Sequence, residues 1–315
     1  MKFMRAVVQA SLLAGVAGAC SRAASSADEH AGHVAPSVGA GTGGGIAGLP
    51  ASANNAAARL EASPRKGEWV KIAWEPGSGD SLMAWVVRPA ASNARTPVVV
   101  VVHEIFGLQT WVRAVADQMA AEGFIAVAPD LISRVRGGPS TTELTGDSAR
   151  KLIAGVNSTE RNRGIVAVAR YAMALPNAAP KYGVIGYCWG GATVFMHAVN
   201  GGTTGYSGGV AFYGLPYMTG PQPTADSLAK IRTPVMLLNG SKDARIATAM
   251  PAIDSVMKAL GKSYSAQNYE GAVHGFLRAQ DDPRATRDPA EEAANVAATK
   301  DAWPRTVAFL RQNLR

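Results

Sequence analysis

Tyr182-Gly183-Val184-Ile185-Gly186-Tyr187-Cys188-Trp189-Gly190 is the stretch whose reading decides the fold. Tyr182 to Ile185 reads as a short buried strand. Gly191-Ala192-Thr193-Val194-Phe195-Met196 begins a helix of small and apolar residues. Between them, Cys188 stands two residues from a glycine on either side, where serine is more usual. A nucleophile on a sharp strand-to-helix turn needs those glycines, because strand and helix then pass very closely. The turn lifts the sulfur clear of the sheet edge and aims it at the helix N-terminus, whose positive dipole end favours a thiolate. Taken alone, the pentapeptide also fits a buried structural cysteine, free cysteine being among the most buried residue types.

Outward from the turn, strands and helices alternate. Pro97 to Val102 is an unbroken β-branched run, the mark of a strand buried on both faces. A helix is expected from about 111 to 122, closed by Gly123. Phe124 to Ala128 is a second buried strand, stopped by Pro129-Asp130. Trp69 to Trp74 and Leu82 to Arg88 read as antiparallel strands joined at Pro76-Gly77-Ser78-Gly79-Asp80. Ser158 to Leu175 is an amphipathic helix. Further strands are expected at Gly208 to Tyr213, Pro234 to Leu238 and Tyr264 to Tyr269, with helices at Ala247 to Leu260 and Ala290 to Leu314. This alternation implies an α/β fold with a mostly parallel sheet covered on both faces.

The chain has 315 residues, 47% of them hydrophobic, which suits one α/β domain of about 250 residues with an appendage. Its net charge of +8 is scattered, without a basic stripe interleaved with aromatics. Nucleic acid is therefore not an expected partner, and the charge supports no more than a mild preference for anionic substrates. The two cysteines, Cys20 and Cys188, sit in unrelated contexts, so a disulfide framework is not expected.

Residues 1–19 read as a secretory signal. Met1-Lys2-Phe3-Met4-Arg5 is basic, Ala6 to Ala19 is apolar but too short to span a bilayer, and Ala17-Gly18-Ala19-Cys20 closes with small residues. Cys20 resembles the acylated first residue of a bacterial lipoprotein, except that Ala17 stands where Leu is usual. Ordinary cleavage after Ala19 is the competing reading. Either makes the chain an exported, periplasmic or membrane-anchored protein. Residues 20–63, rich in Ala, Gly and Ser, read as a flexible tether that buries too little apolar surface to offset its ordering entropy. Asp28-Glu29-His30 and His33 lie in it with no further ligands converging, so a solvated tail is expected rather than a metal site. The folded domain is expected over residues 64–315.

A nucleophile elbow needs an acid and a base, arriving later in that order. Asp243 follows the strand 234–238 in Asn239-Gly240-Ser241-Lys242-Asp243. His274 follows the strand 264–269 in Gly271-Ala272-Val273-His274-Gly275-Phe276. Both loops lie at the C-terminal ends of their strands, the rim where open α/β sheets bind ligands. His274 would take the proton of the Cys188 thiol, and Asp243 would fix its tautomer. His197, on the helix after the elbow, suits a packing or capping role. Backbone N–H groups of Trp189 and Ile105 would form the oxyanion hole. Glu104 then lies beside that hole, and its residue type alone leaves open whether it is functional or a solvated strand end.

His103-Glu104-Ile105-Phe106-Gly107-Leu108, Ala128-Pro129-Asp130-Leu131, Gly186 to Gly191, Phe212-Tyr213-Gly214 and the His274 loop together resemble the dienelactone hydrolase (carboxymethylenebutenolidase-like) family. The resemblance runs from about Trp69 to the C-terminus. It implies an α/β-hydrolase fold and a catalytic triad of Cys188, Asp243 and His274, with no cofactor or metal. It also implies that Glu104 contacts the resting thiol and gates its activation, and that Arg278 helps hold a substrate carboxylate. A second substrate-binding arginine lies past Leu131 in that family. Arg134, Arg136 and Arg150 are the candidates, with no motif to choose among them. Trp189 is bulkier than the residue expected after the nucleophile.

The resulting expectation is a cysteine hydrolase that cleaves a small lactone or carboxylic ester through a thioacyl-enzyme. A general carboxylesterase or thioesterase on the same scaffold is one rival. A non-catalytic envelope binding protein is another. A redox role for Cys188 is weaker, since no resolving cysteine is near.

Overall fold

The computed structural model describes residues 46–91, 95–141, 144, 146–216, 225–281 and 288–315. The signal segment, Cys20, His30 and His33 lie outside the described residues. Along the chain run α1 (Ala56–Ala62), β1 (Glu68–Ala73), β2 (Ser81–Val87), β3 (Thr96–Val102), α2 (Thr110–Ala121), β4 (Ile125–Asp130), α3 (Ser133–Arg136), α4 (Gly146–Ala154) and α5 (Ser158–Met173). There follow β5 (Ala178–Tyr187), α6 (Trp189–Val199), β6 (Tyr206–Phe212), α7 (Ala225–Leu228), β7 (Val235–Gly240), α8 (Ala244–Ala259), β8 (Tyr264–Tyr269), α9 (Phe276–Ala279) and α10 (Pro289–Asn313).

The eight strands form one sheet in the order β1-β2-β4-β3-β5-β6-β7-β8. β2 pairs antiparallel with both β1 and β4, and every other pairing is parallel. The all-valine stretch Val98–Val102 of β3 is fully buried, as its lack of alternation requires. Helices cover both faces. A Cβ built on Gly183 of β5 would meet Leu310 of α10, whereas one on Gly186 would meet Val194 of α6. Residues an odd number apart on a strand point to opposite faces, so α10 and α6 lie on opposite sides of the sheet. The fold is that of an α/β hydrolase.

Two sequence expectations need correction. Pro129-Asp130 does not stop β4, because both residues pair with β2. On the other side, β4's register with β3 ends at Val127. The missing N–H of Pro129 points where no ladder bond is required.

The second correction concerns the tether. Its last part, from Leu49 onward, is packed onto the domain. Leu49, Ala51, Ser52, Ala53, Asn55 and Ala56 are buried, and α1 lies on α2. Composition weighs only apolar side-chain area. It misses the backbone hydrogen bonds that tie this segment to distant elements, among them Trp111 Nε1 to Ala51 O at 2.8 Å and Ala53 N to Arg278 O at 2.9 Å. Burial of Leu49 adds about 2 kcal/mol.

Candidate active site

Cys188 ends the run of β5 and caps α6 with φ 56° and ψ −115°. A non-glycine residue held there stores roughly 1–3 kcal/mol of backbone strain. Its surroundings leave no room for relaxation. A Cβ on Gly190 would lie 2.5 Å from the Val102 carbonyl oxygen and 2.6 Å from that of His103. One on Gly186 would lie 2.2 Å from the Gly190 oxygen. The first turn of α6 thus rests directly against the end of β3. That contact brings the N–H groups at the start of α6, which have no intrahelical partner, beside the loop holding Ile105.

The loops after β7 and β8 bring Asp243 and His274 to the same rim. Asp243 caps α8, its carboxylate accepting from Ile246 N at 3.4 Å, while its Oδ2 lies 2.5 Å from His274 Nδ1. The remaining ring nitrogen of His274, Nε2, is the one available to the Cys188 side chain, to which His274 is hydrogen-bonded. Burial pulls the His274 pKa down. The charge of Cys188 and the hydrogen bonds to Asp243 and Cys188 more than offset that pull and raise it to about 10. Burial likewise pushes the Asp243 carboxyl up, but the His274 hydrogen bond and charge leave it below its ordinary value. Order along the chain, edge of the sheet and hydrogen-bond chain agree for all three residues.

His103 holds the other side of the site. It is buried, and desolvation pulls its pKa down to about 4, so the ring is neutral at pH 7. Nε2 accepts from Leu131 N at 3.0 Å, which leaves Nδ1 to donate to Glu104 O at 2.5 Å. The backbone at Glu104 and Ile105 is thereby pinned. The ring also stacks on Trp189, with centroids 5.5 Å apart. Behind Trp189 lies the buried guanidinium of Arg161, 5.0 Å from the indole and hydrogen-bonded to Thr193. The bulk of Trp189 is accommodated between these two side chains. Asp130 completes the support. Buried, with its pKa raised by desolvation to about 6, it accepts from Ser140 N at 2.6 Å and Ser140 Oγ at 3.0 Å. Ser140 in turn packs against Gly107 of the Ile105 loop.

Glu104 is no solvated strand end. It is buried, and its Oε2 lies 3.0 Å from Nε of the equally buried Arg278. Its Oε1 has no hydrogen-bond partner among the described residues. Tyr187 and Tyr213 lie in the same electrostatic neighbourhood. Burial first, and then the charge of Glu104, drive both phenols well above their ordinary pKa. The Tyr213 ring lies 4.9 Å from that of His274. The centre therefore combines a strained cysteine, a histidine–aspartate pair, a pinned loop at Glu104 and Ile105, and a buried acid–arginine pair.

Of the three candidates for a second arginine, two are in ion pairs and the third lies beside Asp130. Arg134 is half exposed and paired with Glu160 at 2.6 Å, Arg150 pairs with Asp147 at 2.6 Å, and the charge of Arg136 acts on Asp130. His197 is a packing residue, its ring bonded to Tyr182 Oη at 2.8 Å and Asn162 Oδ1 at 2.7 Å. Sequence reasoning missed His103, Arg161 and the two tyrosines. A histidine directly after five valines was the available signal for His103. No signal pointed to Arg161.

The profile of the dienelactone hydrolase family matches residues 82–314. The chain belongs to the dienelactone hydrolase family. It is 27% identical over 242 residues to a Salmonella typhimurium protein provisionally named a carboxymethylenebutenolidase, covering 75% of this chain and 85% of the relative. It is 28% identical over 261 residues to a Bradyrhizobium protein provisionally named a 2-oxo-3-(5-oxofuran-2-ylidene)propanoate lactonase, covering 78% and 94%. Among solved structures, a provisionally assigned dienelactone hydrolase from Klebsiella pneumoniae superposes with a TM-score of 0.64 at 26% identity, covering 79% of this chain and 99% of that one. This family member is an ester or lactone hydrolase.

Proposed function

We propose that the protein cleaves small, carboxylate-bearing lactones or esters through Cys188. The observation that carries the reading is the hydrogen-bond chain from Asp243 through His274 to the Cys188 side chain at the crowded elbow. The Cys188 proton rests on His274 Nε2, pairing thiolate with imidazolium, while Asp243 holds Nδ1 and stabilises that imidazolium. The thiolate attacks the carbonyl carbon, and the N–H groups of Trp189 and Ile105 receive the oxyanion. Collapse forms a thioacyl-enzyme and expels either an alkoxide, which takes its proton from His274, or an enolate, which stays charged while His274 keeps its proton. In a lactone this leaving group stays attached to the acyl part. Water, deprotonated by the neutral His274 on the alkoxide route or by the charged enolate on the other, then attacks the thioester, frees the acid and restores the thiolate–imidazolium pair.

Arg278 anchors the substrate carboxylate in this reading. When that carboxylate takes over the guanidinium, Glu104 loses its partner, and the freed charge couples substrate arrival to the nucleophile's attack. The chain also acts outside the cytoplasm, exported by residues 1–19 and, on the lipoprotein reading, held through Cys20. The intact mass of the mature N-terminus distinguishes acylated Cys20 from cleavage alone.

The reading is tested by turnover of a dienelactone, p-nitrophenyl acetate and a longer acyl ester, with Cys188→Ala as the control. Preference for the dienelactone supports it. Preference for the long neutral ester favours a general esterase. Absence of turnover, together with a Cys188 inert to iodoacetamide in the folded protein, leaves a binding protein.

A further inference from the structure

Leu49 to Asn55 precede the region that the family profile matches, yet they are fastened to the turn carrying Arg278. That turn, α9, has four residues, too few to hold a helical conformation alone. The Arg278 carbonyl within it, and the residues just after it, are bonded to the N-terminal segment. Ala53 N donates to Arg278 O at 2.9 Å, and Asn54 Nδ2 to Asp281 O at 2.8 Å. Gln280 Nε2 bridges Leu277 O at 2.7 Å and Pro50 O at 3.2 Å. Ser52 and Asn55 lock the segment's own bend, with Ser52 N donating to Asn55 Oδ1 at 3.1 Å.

The other side of the segment is anchored on α2. Trp111 Nε1 donates to Ala51 O, and the Trp111 ring meets Tyr187 edge-on at 5.0 Å, one residue before Cys188. Arg59 links Leu49 O to Gln118 Oε1. A strap of seven residues thus spans from the helix behind the elbow to the turn bearing the buried arginine.

We propose that Leu49–Asn55 is a positioning strap that sets the Arg278 guanidinium and thereby the preference for carboxylate-bearing over neutral substrates. The inference rests on the reading of Arg278 as the carboxylate anchor. The strap touches no reacting atom. It acts through the backbone of α9, where a displacement of about 1 Å is enough to cost up to a hundredfold in rate.

The test uses the full chain with two strap variants, Ala53→Pro, which removes the N–H that Arg278 O accepts, and the double change Asn54→Ala with Gln280→Ala. The substrates are the 4-nitrophenyl half-ester of succinate, which is anionic, and p-nitrophenyl acetate, which is neutral. The expected result is a rise in KM of about tenfold or more for the half-ester, with kcat/KM for the acetate within about twofold. In an Arg278→Met background the strap changes are expected to leave the ratio of the two activities unmoved. Equal losses on both substrates in the double variant overturn the strap. So does a wild-type ratio in the double variant when Arg278→Met abolishes the preference. If Arg278→Met leaves the half-ester preference intact, the carboxylate-anchor reading falls and the strap with it.

Discussion

The loops carrying Cys188 and Arg278 open on the same rim, but they are held in opposite ways. The elbow is held by backbone crowded around its own glycines. Glycines 186, 190 and 191 let β5, α6 and the end of β3 meet backbone to backbone, and a single added methyl at any of them has nowhere to go. The α9 turn is held from more than 200 residues away, by Pro50, Ala53 and Asn54. Local crowding leaves a motif, because only one residue type fits. Long-range hydrogen bonds through backbone carbonyls leave almost none.

Removing the elbow's sulfur is expected to have the largest effect. Cys188→Ala should lower kcat by about six orders of magnitude, near the loss seen when a serine nucleophile is removed, while the fold melts no earlier. Asp243→Asn should follow, lowering kcat by about three to four orders of magnitude by releasing the His274 tautomer, with KM little changed. Steady-state kinetics beside circular-dichroism melting distinguish both from unfolding. Gly190→Ala attacks the elbow's packing instead. It should cost about 3 kcal/mol or more of stability, read by urea unfolding, because the Val102 and His103 carbonyls cannot both withdraw.

His103→Leu tests the pinned loop between the two regions. It leaves the Leu131 N–H and one Glu104 carbonyl bond unmade, for about 1–3 kcal/mol of stability and roughly a tenfold fall in kcat. The smallest effect is a titration. In the wild type the His274 ring should keep its proton well past the ordinary 6.5, up to about 10. In Cys188→Ala it should release that proton at lower pH, because the charge that raises it most is gone. Since the folded-state value lies above the ordinary one, the contribution of His274 to stability is complete below pH 6.5 and is lost as pH rises through about 10. Histidine ring NMR follows the proton directly.

The same division explains what could be read beforehand. The valine run of β3, the bounds of β8 and the placement of Asp243 and His274 after successive strands follow from periodicity and chain order, and the structure has them there. The strap was read as tether because its alanines and serine carry little apolar area. What binds it is the set of carbonyl groups on a turn whose position the local sequence does not reveal. Arg161 was invisible for a related reason. A guanidinium buried on an indole, without a described carboxylate bond, differs in sequence from a solvated surface arginine by nothing that periodicity records. Pro129 misled because its permissiveness depends on which neighbouring strand has already ended.

The backbone at Cys188 carries one further consequence, for how this protein responds to selection. Glycine alone is at ease at φ 56°, so a library screened for thermal survival without regard to turnover is drawn towards glycine at 188, discarding the sulfur. On the proposed mechanism, a position at which the chain is strained is one it must keep to be an enzyme. Stability gained anywhere else in the domain is then latitude for holding that residue in place.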